Sequence, residues 1–322
     1  MISAKYFFRL LTLSYHYSRK SLQLPYNPVR LWIELTSLCN YRCVMCPNKD
    51  LKKKEHGSMD FDLYKKIIDE AADFAFDVNL AHRGESLLFP QIVDAILYAK
   101  EKNLFTRLHT NGSLLIEDLS RKIVKSGLDR LSFSFDGFER ETYEKIRVGG
   151  SFEKTRQNII RFLEIKKEEK SKTPNTAIEV IHFEPGKRLQ TKTEFREQFK
   201  GLPLDSFVIK NLHNWAGETA KARTSKNYST CPFPWNALVI FWDGTVLPCP
   251  QDFFGSFPLG NVRDFSLKTI WNNDRISLLR KKLAKGDFLD LKACSGCDRV
   301  WRKSFLGVPS EFLWKFLTKR MP

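Results

Sequence analysis

The chain has 322 residues, of which 42% are hydrophobic and 13% aromatic, so it can bury a large core and is not a disordered protein. Its formal net charge is +16, concentrated at the termini: residues 1–33 carry five Lys or Arg and no acidic residue, and residues 299–322 carry six against one Glu. No apolar run reaches the roughly 20 residues that span a bilayer, and we expect no cleavable signal. Seven cysteines in such a chain favour metal ligation or catalysis over disulfides.

Both ends of the chain have an amphipathic pattern. Residues 2–18 place apolar side chains at helical spacing among basic ones, which predicts a short basic helix ended by Pro25 and Pro28. Residues 310–322 repeat the pattern and predict a basic C-terminal helix. Two interpretations stay open: these segments pad the core, or they dock on an anionic membrane surface. The expected location is cytoplasmic, and peripheral at the membrane under the second interpretation.

Between the ends, strands alternate with helices, which predicts a parallel sheet. The predicted strands are residues 31–36, 77–82, 105–110, 129–135, 176–182 and 204–211. The predicted helices are 60–74, 90–102, 117–126, 151–169 and 190–200. Six βα-like units fit an α/β fold with a partial (β/α)6 TIM-like barrel, in which the C-terminal strand ends form one functional face.

The pattern changes near residue 212, where Gly, Pro, Trp and Cys become frequent and Asp243-Gly244 predicts a hairpin turn. We therefore divide the chain into four parts. These are an N-terminal extension (1–29), the partial barrel (30–212), a small irregular cysteine-rich α+β domain (213–309) and the C-terminal helix (310–322).

Three cysteines with spacings of four and three, Cys39, Cys43 and Cys46, follow the first strand. Taken alone, they fit a fragment of a zinc site, buried filler, or three ligands of a 4Fe–4S cube. In the last case one iron lacks a protein ligand and can bind a small molecule.

This Cys-x3-Cys-x2-Cys loop resembles the signature of the radical S-adenosylmethionine (radical SAM) enzymes. The resemblance implies that the open iron binds SAM. One electron then splits SAM into a 5′-deoxyadenosyl radical, which removes a hydrogen atom from the substrate. It also implies a flavodoxin- or ferredoxin-like electron donor, and places Met45 beside the adenine.

Strand-end segments resemble further motifs of this family. Arg83-Gly84-Glu85-Ser86 resembles the Gly-Gly-Glu-Pro segment with two replacements, and implies that Glu85 contacts the SAM amino group. Asn111 and Ser134 match positions that line the cofactor. Arg147 matches an arginine that pairs with the SAM carboxylate.

The four other cysteines are Cys231, Cys249, Cys294 and Cys297. Their order resembles the SPASM/twitch domains of radical SAM enzymes and implies a second 4Fe–4S cluster. A four-cysteine zinc site is the alternative. Three plus four cysteines account for all seven, so two fully supplied clusters leave no thiol to return a hydrogen atom. We therefore expect net oxidation, in which the substrate loses a hydrogen atom and a proton and its remaining electron enters the second cluster.

The expected substrate contacts are Lys210, Asn211, His213, Asn214 and Trp215. His213 is a candidate general base, with His82 and His109 as comparable candidates and a structural role as the alternative. Only about 30 residues precede the first strand, which favours a small, sugar-like or envelope-associated substrate over a peptide. The alternatives are a peptide-modifying maturase, a radical epimerase and a metal-braced binding or scaffold protein. No RNA-binding motif supports a nucleic-acid partner.

Overall fold

A computed structural model of the chain describes residues 4–182, 193–194, 196–212, 214–219, 228–301, 304–305 and 308–309. The predicted C-terminal helix and His213 lie outside these ranges, as does part of the predicted helix 190–200. Among the described residues, no helix combines the length and the apolar character needed to cross a membrane.

The strands of the described residues are β1 to β11. Their bounds are Arg30–Ile33, Asp77–Asn79, Phe105–Thr110, Arg130–Ser134, Asn175–His182, Ser206–Asn211, Ala237–Ile240, Thr245–Leu247, Gly260–Asn261, Ser304–Phe305 and Val308–Pro309. The α-helices, numbered here α1 to α10, are Ala4–Ser18, Phe61–Ala72, Ile92–Glu101, Glu117–Lys125, Arg140–Ile146, Phe152–Glu168, Phe233–Asn236, Leu267–Trp271, Asp274–Lys285 and Lys292–Ser295.

Nine of the described strands form one sheet in the order β6-β5-β4-β3-β2-β1-β7-β8-β9. Strands β1 to β6 pair in parallel, β7 adds to β1 in parallel, and β8 and β9 follow in antiparallel pairing. The parallel part with its covering helices confirms the predicted partial barrel. The small C-terminal part is built on the same sheet, because its hairpin continues from β7.

Alternation along the strands separates a dry outer face from a polar inner face. In β1, Leu31 and Ile33 are fully buried, whereas Arg30 and Trp32 are only half-buried on the opposite face. Leu108 in β3 is likewise fully buried in the core. The inner face of the barrel is therefore free to carry the chemistry.

Among the described residues of the partial barrel, the largest differences from the predictions are two shortened strands and one additional helix. Strand β1 ends at Ile33 rather than at 36, and the chain beyond it forms a single bridge between Thr36 and Ser58. Strand β2 ends at Asn79, three residues early. Helix α5, Arg140–Ile146, was not predicted, because seven residues are too few for a clear helical period.

Helix α1 packs beneath the N-terminal ends of the strands and ends at Ser18, seven residues before Pro25. The following segment is held by Arg280 of α9, which is fully buried. Its guanidinium donates to the carbonyl oxygens of Leu22, Pro234 and Trp271 at 2.9 Å each, and to Asn272 Oδ1 at 3.0 Å. One cation therefore joins the N-terminal segment to the C-terminal part.

Replacing Arg280 with Met should lower the free energy of unfolding by at least about 3 kcal/mol, because four acceptors lose their donor, two of them in fully buried hydrogen bonds. Arg275→Met, on the exposed side of the same helix, should cost less than about 1 kcal/mol. Urea denaturation followed by circular dichroism measures both. Equal losses would show that Arg280 acts only through its bulk.

Candidate active site and second cysteine centre

The loop from Cys39 to Cys46 is fixed by backbone hydrogen bonds to the end of α5. The N–H groups of Arg42 and Val44 donate to the carbonyl oxygens of Val148 and Ile146 at 2.8 and 3.0 Å. Because both partners lie just after β4 in the chain, the loop is held against the C-terminal ends of the strands.

Asn48 ties the same loop to two other strand ends. Its Nδ2 donates to the carbonyl oxygens of Ser37 at 2.8 Å and of Arg83 at 2.9 Å. Gly84 closes this contact, since a Cβ there would lie 2.3 Å from the carbonyl oxygen of Thr36 and 2.5 Å from that of Leu38. Only glycine allows this close approach of two backbones.

The three thiols of the loop are enclosed and uncharged without a metal. Burial raises the pKa of Cys39 to about 12 and that of Cys46 to about 11. Burial also raises the pKa of Cys43, although Arg147 Nη1, 3.6 Å from its sulfur, acts in the opposite direction. A bound cation is what deprotonates such thiols, so the donor set suits iron. Three thiolates on a four-iron cube leave one corner open.

Glu85 is buried beside the loop and accepts three hydrogen bonds. Its donors are Thr110 Oγ1 at 2.8 Å, the N–H of Asn111 at 2.7 Å and the N–H of Leu87 at 3.1 Å. Burial raises its pKa even so. Glu85 therefore organises the ends of β2 and β3, and its contact with the SAM amino group stays a prediction.

Asn111 extends this network to the cysteine loop. Its Nδ2 donates to Asn40 Oδ1 at 2.9 Å, and its Oδ1 accepts from Ser113 Oγ at 2.7 Å. Asn40 in turn donates to Ser113 Oγ at 2.9 Å. The sequence did not single out Asn40, which lies between the first two cysteines and joins the loop to the end of β3.

Arg147 is nearly buried and already paired. It forms an ion pair with Asp136, donating from Nε at 2.7 Å, and Asp136 also accepts from the N–H of Ile181 at 2.5 Å. The guanidinium thus lies between Asp136 and Cys43, next to the loop where a cluster would sit. Ser134 ends β4, on the same inner face as Glu179. The predicted roles of both residues toward SAM are not tested by these contacts.

Met45 and Trp215 connect the cysteine loop to the C-terminal part. Met45 is buried, and its carbonyl oxygen accepts a hydrogen bond from Trp215 Nε1 at 3.2 Å. Trp215 and Ala216 both adopt left-handed backbone conformations, with φ of 46° and 58°. Such values in consecutive non-glycine residues store strain, so the surrounding contacts hold this turn in place.

The same turn contacts the second group of cysteines. Asn214 Nδ2 donates to the carbonyl oxygen of Gly296 at 2.7 Å, inside the Cys294–Cys297 turn. A Cβ on Gly296 would lie 2.6 Å from the carbonyl oxygen of Ala216. Residues 214–217 therefore touch both cysteine groups, one through Trp215 and the other through Asn214.

Arg83, which stands where the motif has its first glycine, has a structural role. The Arg83 guanidinium donates to both oxygens of Glu34, at 2.5 and 2.7 Å, and both side chains are buried. It also stacks 3.5 Å from the centre of the Phe241 ring. Burial raises the pKa of Glu34, but the hydrogen bonds and charge of Arg83, with the nearby His82, outweigh it and hold this pKa below its ordinary value. The signal in the sequence that pointed to this pair was Glu34, which lies inside the apolar run Leu31–Leu35. A carboxylate buried in such a run needs a charged partner.

Cys231, Cys249, Cys294 and Cys297 line one cavity of about 40 Å³. None of the seven cysteines forms a disulfide. In the part of the chain that the structure describes, no three His, Cys, Asp or Glu side chains are arranged to hold a single metal ion. Sulfurs that bind one zinc must all lie about 2.3 Å from it, whereas a cube takes each thiolate on a different iron and spaces them more widely. Four thiols around one cavity supply the donor set that either a cluster or a zinc ion takes.

The two described histidine candidates have different surroundings. His82 is enclosed between the rings of Phe241 and Phe253, and its Nε2 lies 3.1 Å from the carbonyl oxygen of Pro250. His109 is partly exposed on the inner face, with its Nδ1 3.4 Å from Glu179 Oε2. His82 is thus structural, and His109 is the histidine that is open to a substrate.

Glu179 is a buried inner-face residue that the sequence analysis did not single out. It lies on β5, accepts from Ser132 Oγ at 3.2 Å and pairs with Lys210 at 2.5 Å as well as with His109. Burial raises its pKa, but His109 and Lys210 outweigh burial and lower it well below the ordinary range. A single glutamate in an apolar strand carries no motif, so only strand pairing reveals this array.

Comparisons with known proteins agree with this geometry. Residues 33–177 match the family model described as the radical SAM superfamily, and residues 231–298 match the SPASM model, described as an iron–sulfur cluster-binding domain. The chain belongs to the radical SAM superfamily. It is a radical SAM enzyme with a SPASM domain, which uses SAM, a 4Fe–4S cluster and additional iron–sulfur in the SPASM domain. The predicted cofactors are confirmed, and like other radical SAM enzymes it requires an electron donor and a substrate.

Two relatives of known function align with most of this chain. One is the tungsten-containing aldehyde ferredoxin oxidoreductase cofactor-modifying protein of Pyrococcus furiosus, 26% identical over 78% of this chain and 82% of its own. The other is the S-adenosyl-L-methionine-dependent 2-deoxy-scyllo-inosamine dehydrogenase of Niallia circulans, 24% identical over 83% of this chain and 92% of its own. The crystal structure of BtrN in complex with AdoMet and 2-DOIA has the same fold, with a TM-score of 0.58, 23% identity and coverage of 84% and 93% of the two chains.

Replacing Gly84 with Ala should cost the enzyme the cluster of the Cys39–Cys46 loop, because the added Cβ pushes Thr36 and Leu38 away. Iron after anaerobic reconstitution should fall from about eight to about four atoms per chain. The second cluster in the same variant is the internal control. Unchanged iron would show that the loop tolerates the shift.

Replacing Arg83 with Met should lower the free energy of unfolding by about 3–5 kcal/mol at neutral pH, because Glu34 is then left charged and buried. The double variant Arg83→Met/Glu34→Gln is the control and should recover part of this loss. Urea titrations of the three proteins at pH 7 provide the comparison. A loss below about 1 kcal/mol would contradict the assignment of a buried pair.

The pH dependence follows from the lowered pKa of Glu34. The ionised Glu34 contributes its full stabilisation of the folded state above the pKa of an unfolded glutamate, about 4.3. This contribution is lost as the pH falls toward the lower pKa of Glu34 in the folded state. Between pH 7 and pH 3 the wild type should thus lose more stability than the double variant.

Proposed function

We propose that this radical SAM enzyme is an oxidoreductase that dehydrogenates a small hydroxyl-bearing substrate. One observation carries the proposal: Cys231, Cys249, Cys294 and Cys297 converge on a single cavity. Four protein thiolates complete the coordination of one cube, so this centre suits electron transfer rather than substrate binding.

The cysteine count supports oxidation over epimerisation. Three thiols belong to the Cys39–Cys46 loop and four line the second cavity, and the chain has seven in all. No cysteine is left to give a hydrogen atom back to a substrate radical. A radical epimerase would need another donor, and a peptide maturase remains the second hypothesis for the same chemistry.

SAM and the first cluster supply the radical that removes a hydrogen atom from a substrate carbon. Two things must then leave the substrate: the proton of the hydroxyl group and one electron. When bound, the second cluster would take up the electron, and a side chain on the inner face accepts the proton. Carbon and oxygen are then joined by a double bond, so the substrate has lost two hydrogens.

His109 is the proposed proton acceptor. Its Nδ1 faces the ionised Glu179 at 3.4 Å, which favours a proton on Nδ1 and leaves Nε2 to accept one. Lys210 pairs with Glu179 and provides a positive charge for a substrate oxygen. His213, the candidate chosen from the sequence, lies outside the described residues and remains an alternative acceptor.

The name of the Niallia circulans relative supports an alcohol as the substrate, since that protein is a dehydrogenase of 2-deoxy-scyllo-inosamine. We extend this only to the class, a small molecule with several hydroxyl groups. A flavodoxin- or ferredoxin-like protein is the proposed electron donor, and a cytoplasmic location is proposed with it.

The double variant Cys294→Ala/Cys297→Ala should separate SAM cleavage from oxidation. With 2-deoxy-scyllo-inosamine and related cyclitols as probes, 5′-deoxyadenosine should still form. The product two hydrogens lighter than the probe should fall at least about 100-fold, because the electron has no acceptor. Mass spectrometry measures both products.

The matched control is Ser295→Ala, in the same turn, which should retain the wild-type product. His109→Gln should also lower the oxidised product by about 10²–10⁴-fold while 5′-deoxyadenosine persists. A product of unchanged mass that carries solvent deuterium would favour an epimerase, and a cross-linked peptide a maturase. Absence of 5′-deoxyadenosine in the wild type would reject radical chemistry altogether.

A further inference from the structure

Helix α1 has one face fixed to the body of the protein. The hydroxyl of Tyr17 donates to the carbonyl oxygen of Thr230 at 2.5 Å, and its ring meets Trp235 edge-on at 5.7 Å. Arg9 donates to the carbonyl oxygen of Phe74, and its guanidinium lies 5.2 Å from the ring of Phe76. The helix is therefore anchored near its middle and at its C-terminal end.

The opposite face carries an exposed apolar stripe, defined here as Phe8, Leu11 and Tyr15. These side chains are 65%, 46% and 56% exposed, and their spacing of three and four residues places them on one side of the helix. Single exposed apolar residues are ordinary, but three in a row on an anchored helix form a patch. The sequence left open whether α1 packs on the core or docks on a membrane. The structure shows that only one face of the helix packs on the core.

The surroundings of the stripe are basic. Arg19 and Lys20 are exposed just after the helix, and the Arg19 guanidinium lies 5.7 Å from the Tyr15 ring. Lys20 Nζ donates to the carbonyl oxygen of Ala284, which places the exposed Lys281 and Lys285 of α9 nearby. The acidic residues around this region, Asp73, Asp287 and Asp290, are paired with Lys268 and Lys282.

The stripe is also on the far side from the active site. Phe74 and Phe76 lie just before β2 and Trp235 just before β7, so α1 lies at the N-terminal ends of these strands. The cysteine loop lies at their C-terminal ends. Anything that binds the stripe leaves the mouth of the barrel open.

We propose that the stripe of α1 inserts into the headgroup region of an anionic phospholipid membrane, with Arg19, Lys20, Lys281 and Lys285 contacting lipid phosphates. Apolar side chains on one helix face with basic residues beside them are what an interfacial helix needs. Three side chains are too few for a stable interface with a second copy, which takes about 800 Å² from each partner. This inference goes beyond the proposed reaction and does not depend on it.

The test is flotation of the reconstituted full-length enzyme with vesicles of phosphatidylcholine and phosphatidylglycerol in equal parts, against vesicles of phosphatidylcholine alone. The enzyme should float with the anionic vesicles and, at the same salt, at least about tenfold less with the neutral ones. Phe8→Ser/Leu11→Ser/Tyr15→Ser should weaken binding at least about tenfold, since it removes the buried apolar area.

The matched control is Leu97→Ser/Ile116→Ser, which changes side chains 41% and 62% exposed, one on α3 and one just before α4, and should bind as the wild type does. Iron content and thermal unfolding check that each variant is folded, and Phe8→Ser alone is the reserve if the triple variant is not. Absence of binding to anionic vesicles, or wild-type binding by the folded stripe variant, would overturn the proposal. So would a wild-type dimer in light scattering that the stripe variant converts to a monomer.

Discussion

The ion pair between Glu34 and Arg83 joins the three parts on which the site depends. Glu34 follows β1 and leads into the cysteine loop, Arg83 follows β2, and the ring of Phe241 after β7 covers the guanidinium. A buried pair of this kind costs desolvation and is not a simple source of stability. The pair instead specifies the geometry. Any arrangement that separates Glu34 from Arg83 leaves a buried charge without its partner and is strongly destabilised. The loop, the end of β2 and the SPASM hairpin are thereby held in one arrangement.

The turn at residues 214–217 adds a second connection between the two cysteine centres. Trp215 bonds to the carbonyl of Met45, and Asn214 bonds to the carbonyl of Gly296. Both contacts end on backbone atoms next to proposed cluster ligands. Under the proposed function a substrate electron would pass to the second centre, and such a transfer needs a fixed distance between the two centres. The left-handed conformations of Trp215 and Ala216 show that the fold maintains this turn at some cost in backbone strain.

Polar chemistry and apolar packing occupy opposite faces of one sheet. The outer face of β1 to β5 is dry and packs on helices, whereas the inner face presents Ser132, Glu179, His109 and Lys210 from four strands. Glu179 contacts the other three. Residues that are distant in the chain therefore act as one group, and this is why strand register matters for function. The N-terminal ends of the same strands are covered by α1, so the two ends of the barrel can serve different partners.

The sequence determined the order of the six βα units and the two groups of cysteines, because hydrophobic periodicity and cysteine spacing are local properties. The radical SAM chemistry followed from the resemblance of these motifs to a known family. The sequence predicted β3 to the residue, but it missed α5, which is too short to show a period. In the sequence, Arg83 was only a replacement for a motif glycine, and Glu179 belonged to no motif. Only the tertiary structure paired Arg83 with Glu34 and Glu179 with His109 and Lys210, because these contacts join residues that are tens of positions apart. It alone also showed which face of α1 is buried, since an amphipathic pattern does not say what covers its apolar side.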